Sequence, residues 1–170
     1  MLPIAVDPAA VRVGVAGTGA GLKRRLDMLS RAGAQRLSVF DGVIPGQSDI
    51  ASLTILFVAG LDPDQSRRLA AVARAAGILI NVEDQPDLCD FHVPACVQRG
   101  DLLLTVSTGG RSPGLTRLLR EELEQRFGPE WSSRLEEIAR ERSDWRAAGV
   151  EPESVAERTR AFVKAKGWLS

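Results

Sequence analysis

At 170 residues the chain is long enough to bury one ordinary core without disulfides or a structural metal, and to carry a helical appendage besides. Its 22 Lys and Arg equal its 22 Asp and Glu, so global charge gives no reason to expect nucleic acid or an anionic membrane as partner. No apolar run nears the roughly 20 residues that span a bilayer, and residues 1–7 lack the basic-then-apolar pattern of a signal peptide. Cys89 and Cys96 have neither a Cys-x-x-Cys spacing nor a second pair, and read as reduced thiols that pack like small hydrophobes. A cytoplasmic protein with no metal site is expected.

In chain order, Val11–Ala16 is a valine-rich run bounded by glycines and reads as a buried parallel strand. After Gly17–Gly21, Leu22, Leu26 and Leu29 share one helical face, with Lys23, Arg24 and Asp27 off it. Arg36–Phe40 is a second strand closing on Asp41, which completes a βαβ unit. Residues 42–50 are a loop by their Gly, Pro and Ser content. Further strands are expected at Leu53–Ala59, Ile78–Val82 and Leu102–Val106, with a helix over Ser66–Ala76. Strands alternating with helices, each strand continuously apolar, predict a Rossmann-like, doubly wound parallel α/β sheet over residues 1–111.

From Ser112 the character changes. Ser112–Pro113 is a helix start, with a serine cap and a proline where its missing N–H costs nothing. Leu115, Leu118, Leu119 and Leu123 form a stripe that Gly128–Pro129 ends. Two more helices are predicted over 130–148 and 151–166, with apolar residues too sparse for a core of their own. Residues 112–170 are therefore expected to pack on the α/β domain or on a second copy of the chain, as a helical dimerisation segment and small helical tail. Trp131 and Trp145 in particular have little neighbouring chain to cover them.

Three segments carry chemistry. Gly17-Thr18-Gly19-Ala20-Gly21 joins a strand to a helix, the setting in which glycines let a pyrophosphate approach a helix N-terminus. A plain glycine-rich turn would look the same, and Leu22 stands where a third small residue is usual. Asp41, about 20 residues on at a strand end, is placed to accept from a ribose 2′-hydroxyl, which favours NAD over NADP. The second segment, Asn81–His92, follows the fourth strand where open α/β sheets bind ligands, and places Glu83, Asp84, Asp87 and Asp90 within eight residues. Crowded carboxylates can yield a general base, although from spacing alone a solvated acidic loop is the better reading of any single one. His92 is the only histidine. The third segment, Ser107-Thr108-Gly109-Gly110-Arg111, meets a capped helix and combines hydroxyls, mobile glycines and a cation into an anion site. Arg99, Arg117 and Arg120 are close enough in sequence to reinforce it.

The segments GTGAGLKRR (17–25), NVEDQPDLCDFHVPA (81–95) and RGDLLLTVSTGGRSPGLTRLLREELE (99–124) occur in an order that resembles the precorrin-2 dehydrogenase/sirohydrochlorin ferrochelatase family, the dehydrogenase portion of sirohaem synthase. That resemblance implies NAD-dependent oxidation of precorrin-2 to sirohydrochlorin by a homodimer, with ferrous iron as a further substrate in some members. It also implies Asp84 as the essential acid, from the Asn-Val-x-Asp segment. An anionic tetrapyrrole would give Ser107, Thr108, Gly109, Gly110, Arg111, Arg117, Arg120 and His92 a purpose as its clamp. In some relatives a serine in this loop is modified, and the corresponding position is Thr108. Between Asp41 and Leu53 the family has a further strand where this chain has a short loop. A carrier or sensor that keeps the fold without turnover is the competing expectation.

Overall fold

The computed structural model describes residues 2–169. Two compact units divide the chain, Met1–Val93 and Pro94–Ser170. In the first, β1 (Arg12–Gly17), β2 (Arg36–Asp41), β3 (Ile55–Ala59) and β4 (Leu79–Val82) form a parallel sheet in the order β2-β1-β3-β4. Helix α1 (Gly19–Arg31) links β1 to β2, the four-residue α2 (Gln47–Ile50) lies between β2 and β3, and α3 (Pro63–Ala75) links β3 to β4.

The strand periodicity of two divides the apolar runs between two faces. Val13, Val15, Ile55 and Phe57 pack with Leu22 and Leu29 of α1. Ala16, Leu56, Val58, Ile80 and Val82 pack with Leu69, Ala70 and Ala73 of α3 and with Ile50. Each large side chain buried this way contributes about 1.5–3 kcal/mol relative to exposure. Helices on both faces make the unit doubly wound, and β3 throughout and β1 from Val13 onward are apolar because neither face meets water. Helix α3 begins earlier than the apolar spacing predicts. The Asp62 carboxylate accepts from the Asp64 and Gln65 amides at 2.9 Å, and Pro63 opens the first turn.

In the second unit, β5 (Ala95–Arg99) and β6 (Leu102–Val106) form an antiparallel pair, followed by α4 (Pro113–Arg126), α5 (Trp131–Ala147) and α6 (Pro152–Ala165). This corrects the expectation that Leu102–Val106 is a fifth parallel strand. Only Gly100 and Asp101 separate it from β5, and a parallel pair needs a crossover of a dozen residues or more. Its burial alternates, with Leu103 and Thr105 exposed, as in a sheet covered on one face. The hairpin packs against α4, so the units part after Val93, not at residue 111. The tryptophans are also covered within their own unit. Trp131 is 7% exposed beside Phe127, and Trp145 lies edge-on to Phe162, which in turn packs on Trp168. The leucine stripe of α4 is the part left bare, with Leu115, Leu118 and Leu119 all exposed.

Candidate active site

Strand β1 has β2 on one side and β3 on the other, so the sheet's order reverses there and a crevice opens beyond the carboxyl ends of β1 and β3. Gly17 ends β1 in that crevice. A Cβ on it would run into the Ala59 carbonyl oxygen, so no side chain fits. The Thr18 amide donates to that same oxygen at 3.1 Å, and its hydroxyl donates to the Gly60 carbonyl at 2.8 Å. Thr18 therefore spends its side chain on the β3 end and does not cap α1. The first amides of α1 keep no intrahelical acceptor, no acid lies in its first turn, and Gly19, at φ 60, has nothing within 4 Å of where a Cβ would stand. Open space, free N–H groups and the positive end of a helix dipole fit a dinucleotide pyrophosphate.

The incomplete glycine pattern has a structural explanation. Leu22 is buried in the core under α1, and the close approach of helix to sheet is made one residue earlier. A Cβ on Gly21 would stand 2.6 Å from Glu83 Oε2, 3.2 Å from Ala59 Cβ and 3.3 Å from the Gly60 nitrogen. Asp41 pairs in register with Gly17, and the Gly42 amide donates to the Gly17 carbonyl at 2.9 Å. The exposed Asp41 carboxylate is thereby fixed beside the glycine turn, although the connection after it holds only a four-residue helix.

Beyond β4 the backbone turns sharply at Asp84, whose φ of 59° is the only positive value outside glycine among the described residues. Aspartate tolerates this left-handed conformation better than most side chains, and such strain gathers at functional positions. The exposed Asp84 lines a cleft of about 320 Å³ with Arg25, Asn81, Glu83, Gln85, Cys89 and His92. The remaining acids of this segment have separate tasks. Glu83 faces Arg24 and Arg25 of α1. Asp87 is exposed in the 3-10 turn Pro86–Leu88. Asp90 accepts from the Ile80 amide at 3.1 Å and from Arg74 Nε at 2.8 Å, while its own amide donates to the Ile80 carbonyl at 2.8 Å.

Cys89 works in the same way two residues along β4. Its sulfur accepts from the Val82 amide at 3.2 Å and donates to the Val82 carbonyl at 3.2 Å. Together Cys89 and Asp90 satisfy the outward backbone groups of β4 and close that edge of the sheet. Asn81 completes the seal by donating to the Phe91 carbonyl at 2.9 Å, while its Oδ1 stays buried without a partner. Sequence reasoning missed Arg25, Asn81 and Cys89 as parts of this site, and counted Glu83 only as one of four clustered acids. The Asn-Val-x-Asp spacing was the available signal for Asn81. Nothing local marked the others, because their partners lie on β4 and α1.

The third predicted segment lies in the second unit. Gly109 and Gly110 have φ of 62° and 79°, and the Gly109 amide donates to Ser107 Oγ at 3.2 Å. The Thr108 hydroxyl is held at the start of α4, accepting from the Ser112 amide at 3.2 Å and lying 3.0 Å from Thr116 Oγ1. Ser112 caps α4 as expected, its Oγ accepting from the Leu115 amide at 3.3 Å. Arg117 Nε donates to Glu121 at 2.8 Å, and Arg120 donates to Glu124 at 2.5 Å. The bond from Arg117 holds the Glu121 carboxyl below the usual range, with Arg117 and Arg120 charge adding to it, and Arg117 is raised in turn. Arg99 is turned to the Phe127 carbonyl at 2.9 Å, at the carboxyl end of α4. Arg111 is the exposed cation of this segment that makes no ion pair among the described residues.

The sheet order, the uncapped glycine turn and the acid at the end of β2 define a dinucleotide-binding α/β protein of the Rossmann kind. The comparisons with known proteins narrow this class. Residues 37–95 match an NAD(P)-binding family model, and residues 99–126 match that of the central segment of sirohaem biosynthesis proteins. A sirohaem synthase of Hahella chejuensis is 32% identical over 162 residues, covering 84% of this chain and 34% of that protein. One from Ectopseudomonas mendocina is 35% identical over 126 residues, covering 65% and 27%. One from Nitrosomonas europaea is 49% identical over 63 residues, covering 37% and 13%. The chain thus spans no more than about a third of these relatives' length. A solved structure, SirC, precorrin-2 dehydrogenase, shares the fold with a TM-score of 0.74 at 20% identity, over 100% of this chain and 93% of that one. The chain carries, in order, an NAD(P)-binding segment and a segment like the central one of sirohaem biosynthesis proteins, and is similar to sirohaem synthases over most of its length.

Proposed function

We propose that this chain oxidises precorrin-2 to sirohydrochlorin with NAD as hydride acceptor. The observation that carries the reading is Asp84, an acid held in a left-handed turn at the carboxyl end of β4 and lining a cleft in the same unit as the glycine turn. When bound, the nicotinamide would take the hydride. The protein's own part is to bind, orient and move the proton. The amides of Gly19, Ala20 and Gly21 hold the pyrophosphate, with Gly17 and Thr18 shaping the turn. Asp41 accepts from the ribose 2′-hydroxyl and repels a 2′-phosphate, which is the argument for NAD over NADP. Asp84 takes the proton that leaves the macrocycle as the hydride departs.

The substrate is a polycarboxylate. In the first unit His92 lines the cleft of Asp84. In the second unit Arg111 makes no ion pair among the described residues and can meet a carboxylate, and an arriving carboxylate can exchange with Glu121 and Glu124 on Arg117 and Arg120, because those pairs are solvent-accessible and individually weak. Ser107, Thr108, Gly109 and Gly110 supply the backbone of that clamp. Ferrous iron enters this reading as a substrate of a later step at the same acid, and the working form is a homodimer in the cytoplasm.

The test is anaerobic incubation of the chain with precorrin-2 and NAD, following sirohydrochlorin and NADH together. Both should appear in equal amounts and stop together when NAD is withheld. Gly19→Val should abolish NAD binding by filling the open space above that residue, and Asp41→Asn should weaken NAD more than NADP. A folded chain that binds NAD and yields neither product overturns the activity. Unchanged NAD affinity in both variants overturns the cofactor site.

A further inference from the structure

Read from sequence only as one of four clustered acids, Glu83 is the contact between the glycine helix and the turn that presents Asp84. Its backbone is fixed, since its amide donates to the Val58 carbonyl at 2.9 Å. Its side chain leaves β4 for α1. Oε2 lies 3.2 Å from Arg24 Nη2, and Oε1 lies 4.0 Å from Arg25 Nη2. Oε2 also rests directly against the first turn of α1, 2.6 Å from where a Gly21 Cβ would be.

The two cations are not equivalent. Arg24 is 64% exposed, so its pairing is screened and weak. Arg25 is 18% exposed and Glu83 19%, and the Arg25 guanidinium lies 5.6 Å over the Phe57 ring, which packs edge-on to Phe91. A half-shielded cation stacked on a core ring has little freedom to leave, and a carboxylate between it and the helix is held from two sides. The next residue along is Asp84 in its left-handed turn.

We propose that Glu83 is a positioning residue that couples the dinucleotide end of α1 to the turn of Asp84. Occupation of the glycine turn steadies α1, Arg25 and Glu83 carry that constraint across the crevice, and Asp84 is held where it can take a proton. The proposal rests on the reading of Asp84 as the acid that acts on the substrate. What it adds is the route by which cofactor binding prepares that acid.

The test uses the full chain and amide hydrogen exchange at Glu83 and Gln85, with and without NAD. In the wild type, NAD should slow exchange at these amides by about tenfold, the size of a modest coupling between sites. Glu83→Gln should lose that protection and about tenfold in kcat while its Kd for NAD stays within about twofold, because a neutral amide keeps the shape but not the ionic tie. Glu83→Asp should recover part of both. Arg25→Gln should repeat the loss, and the double variant should be no worse than either single one, the mark of two groups acting as a unit. If Glu83→Gln does not fold, Arg25→Gln and Arg24→Gln carry the same readouts, with the smaller loss at Arg24.

Wild-type protection and kcat in the folded variants overturn the proposal, as does additive loss in the double variant. A wild type that binds NAD but leaves precorrin-2 unchanged removes the proposed activity, while the exchange measurement still decides the coupling. A wild type that binds no NAD overturns both.

Discussion

Asp84 and Asp90 lie six residues apart in one acidic segment, and their surroundings are opposite. Asp84 is exposed in a left-handed turn and lines the cleft, whereas Asp90 is bonded to both Arg74 and the backbone of Ile80. A positioned acid–base group contributes about 10²–10⁴-fold to a rate. Asp84→Ala should therefore remove that much of kcat and leave NAD affinity and melting temperature nearly unchanged. Asp84→Asn separates two roles, since it keeps the shape but takes up no proton. Full turnover by the Asn variant with loss in the Ala variant would make Asp84 an orienting group. Asp90→Ala should behave the other way round. It strands the Ile80 amide and frees Arg74, at a cost of about 1–3 kcal/mol. Urea unfolding should show the loss, with kcat at saturating substrates changed far less than by Asp84→Ala.

The segments themselves differ in how much of them could be read in advance. Strands β1 and β3 were legible because Val13, Val15, Leu56 and Val58 belong to runs buried on both faces, which leave no polar alternation to confuse them. Strand β5 was not, since in Ala-Cys-Val-Gln-Arg only Val97 is buried and no apolar pattern survives. The start of α3 was legible in Asp62-Pro63 but was passed over in favour of apolar spacing. The glycine turn was found, yet its third small residue was looked for at Leu22, because a motif fixes a spacing while packing decides which residue touches the sheet. Gly21 is that residue. Gly21→Ala should press a methyl on Ala59 and the Gly60 backbone and push Glu83 aside. Overpacking of this kind costs about 1–3 kcal/mol, so the midpoint of urea unfolding should fall while α1 remains helical by circular dichroism. An unchanged midpoint would mean that α1 can slide outward at no expense. The edge seal made by Cys89 and Asp90 had no signature in sequence at all, because it is defined by the strand it covers.

For the molecule as a whole, the leucines of α4 point to self-association. Leu115, Leu118 and Leu119 lie three and four positions apart and are 48%, 65% and 43% exposed, and Leu103 of β6 is 46% exposed in the same unit. Such a stripe is costly to leave in water, and a two-fold dimer would bury it twice over. Sedimentation should give a dimer that dissociates on dilution, and Leu118→Glu should give a monomer whose first unit still binds NAD. A wild-type monomer at every concentration would rule the dimer out. The sheet itself has two unlike margins. Beyond β4, the Cys89 thiol and the Asp90 carboxylate occupy the outward backbone groups, whereas β2 ends the sheet with Leu37 and Val39 exposed and no strand beyond it among the described residues. Any accretion is therefore one-sided. An extra strand grafted into the loop after Asp41 would find a template at β2, and so would a neighbouring molecule seeding an aggregate in crowded solution, while the margin beside Asp84 accepts neither.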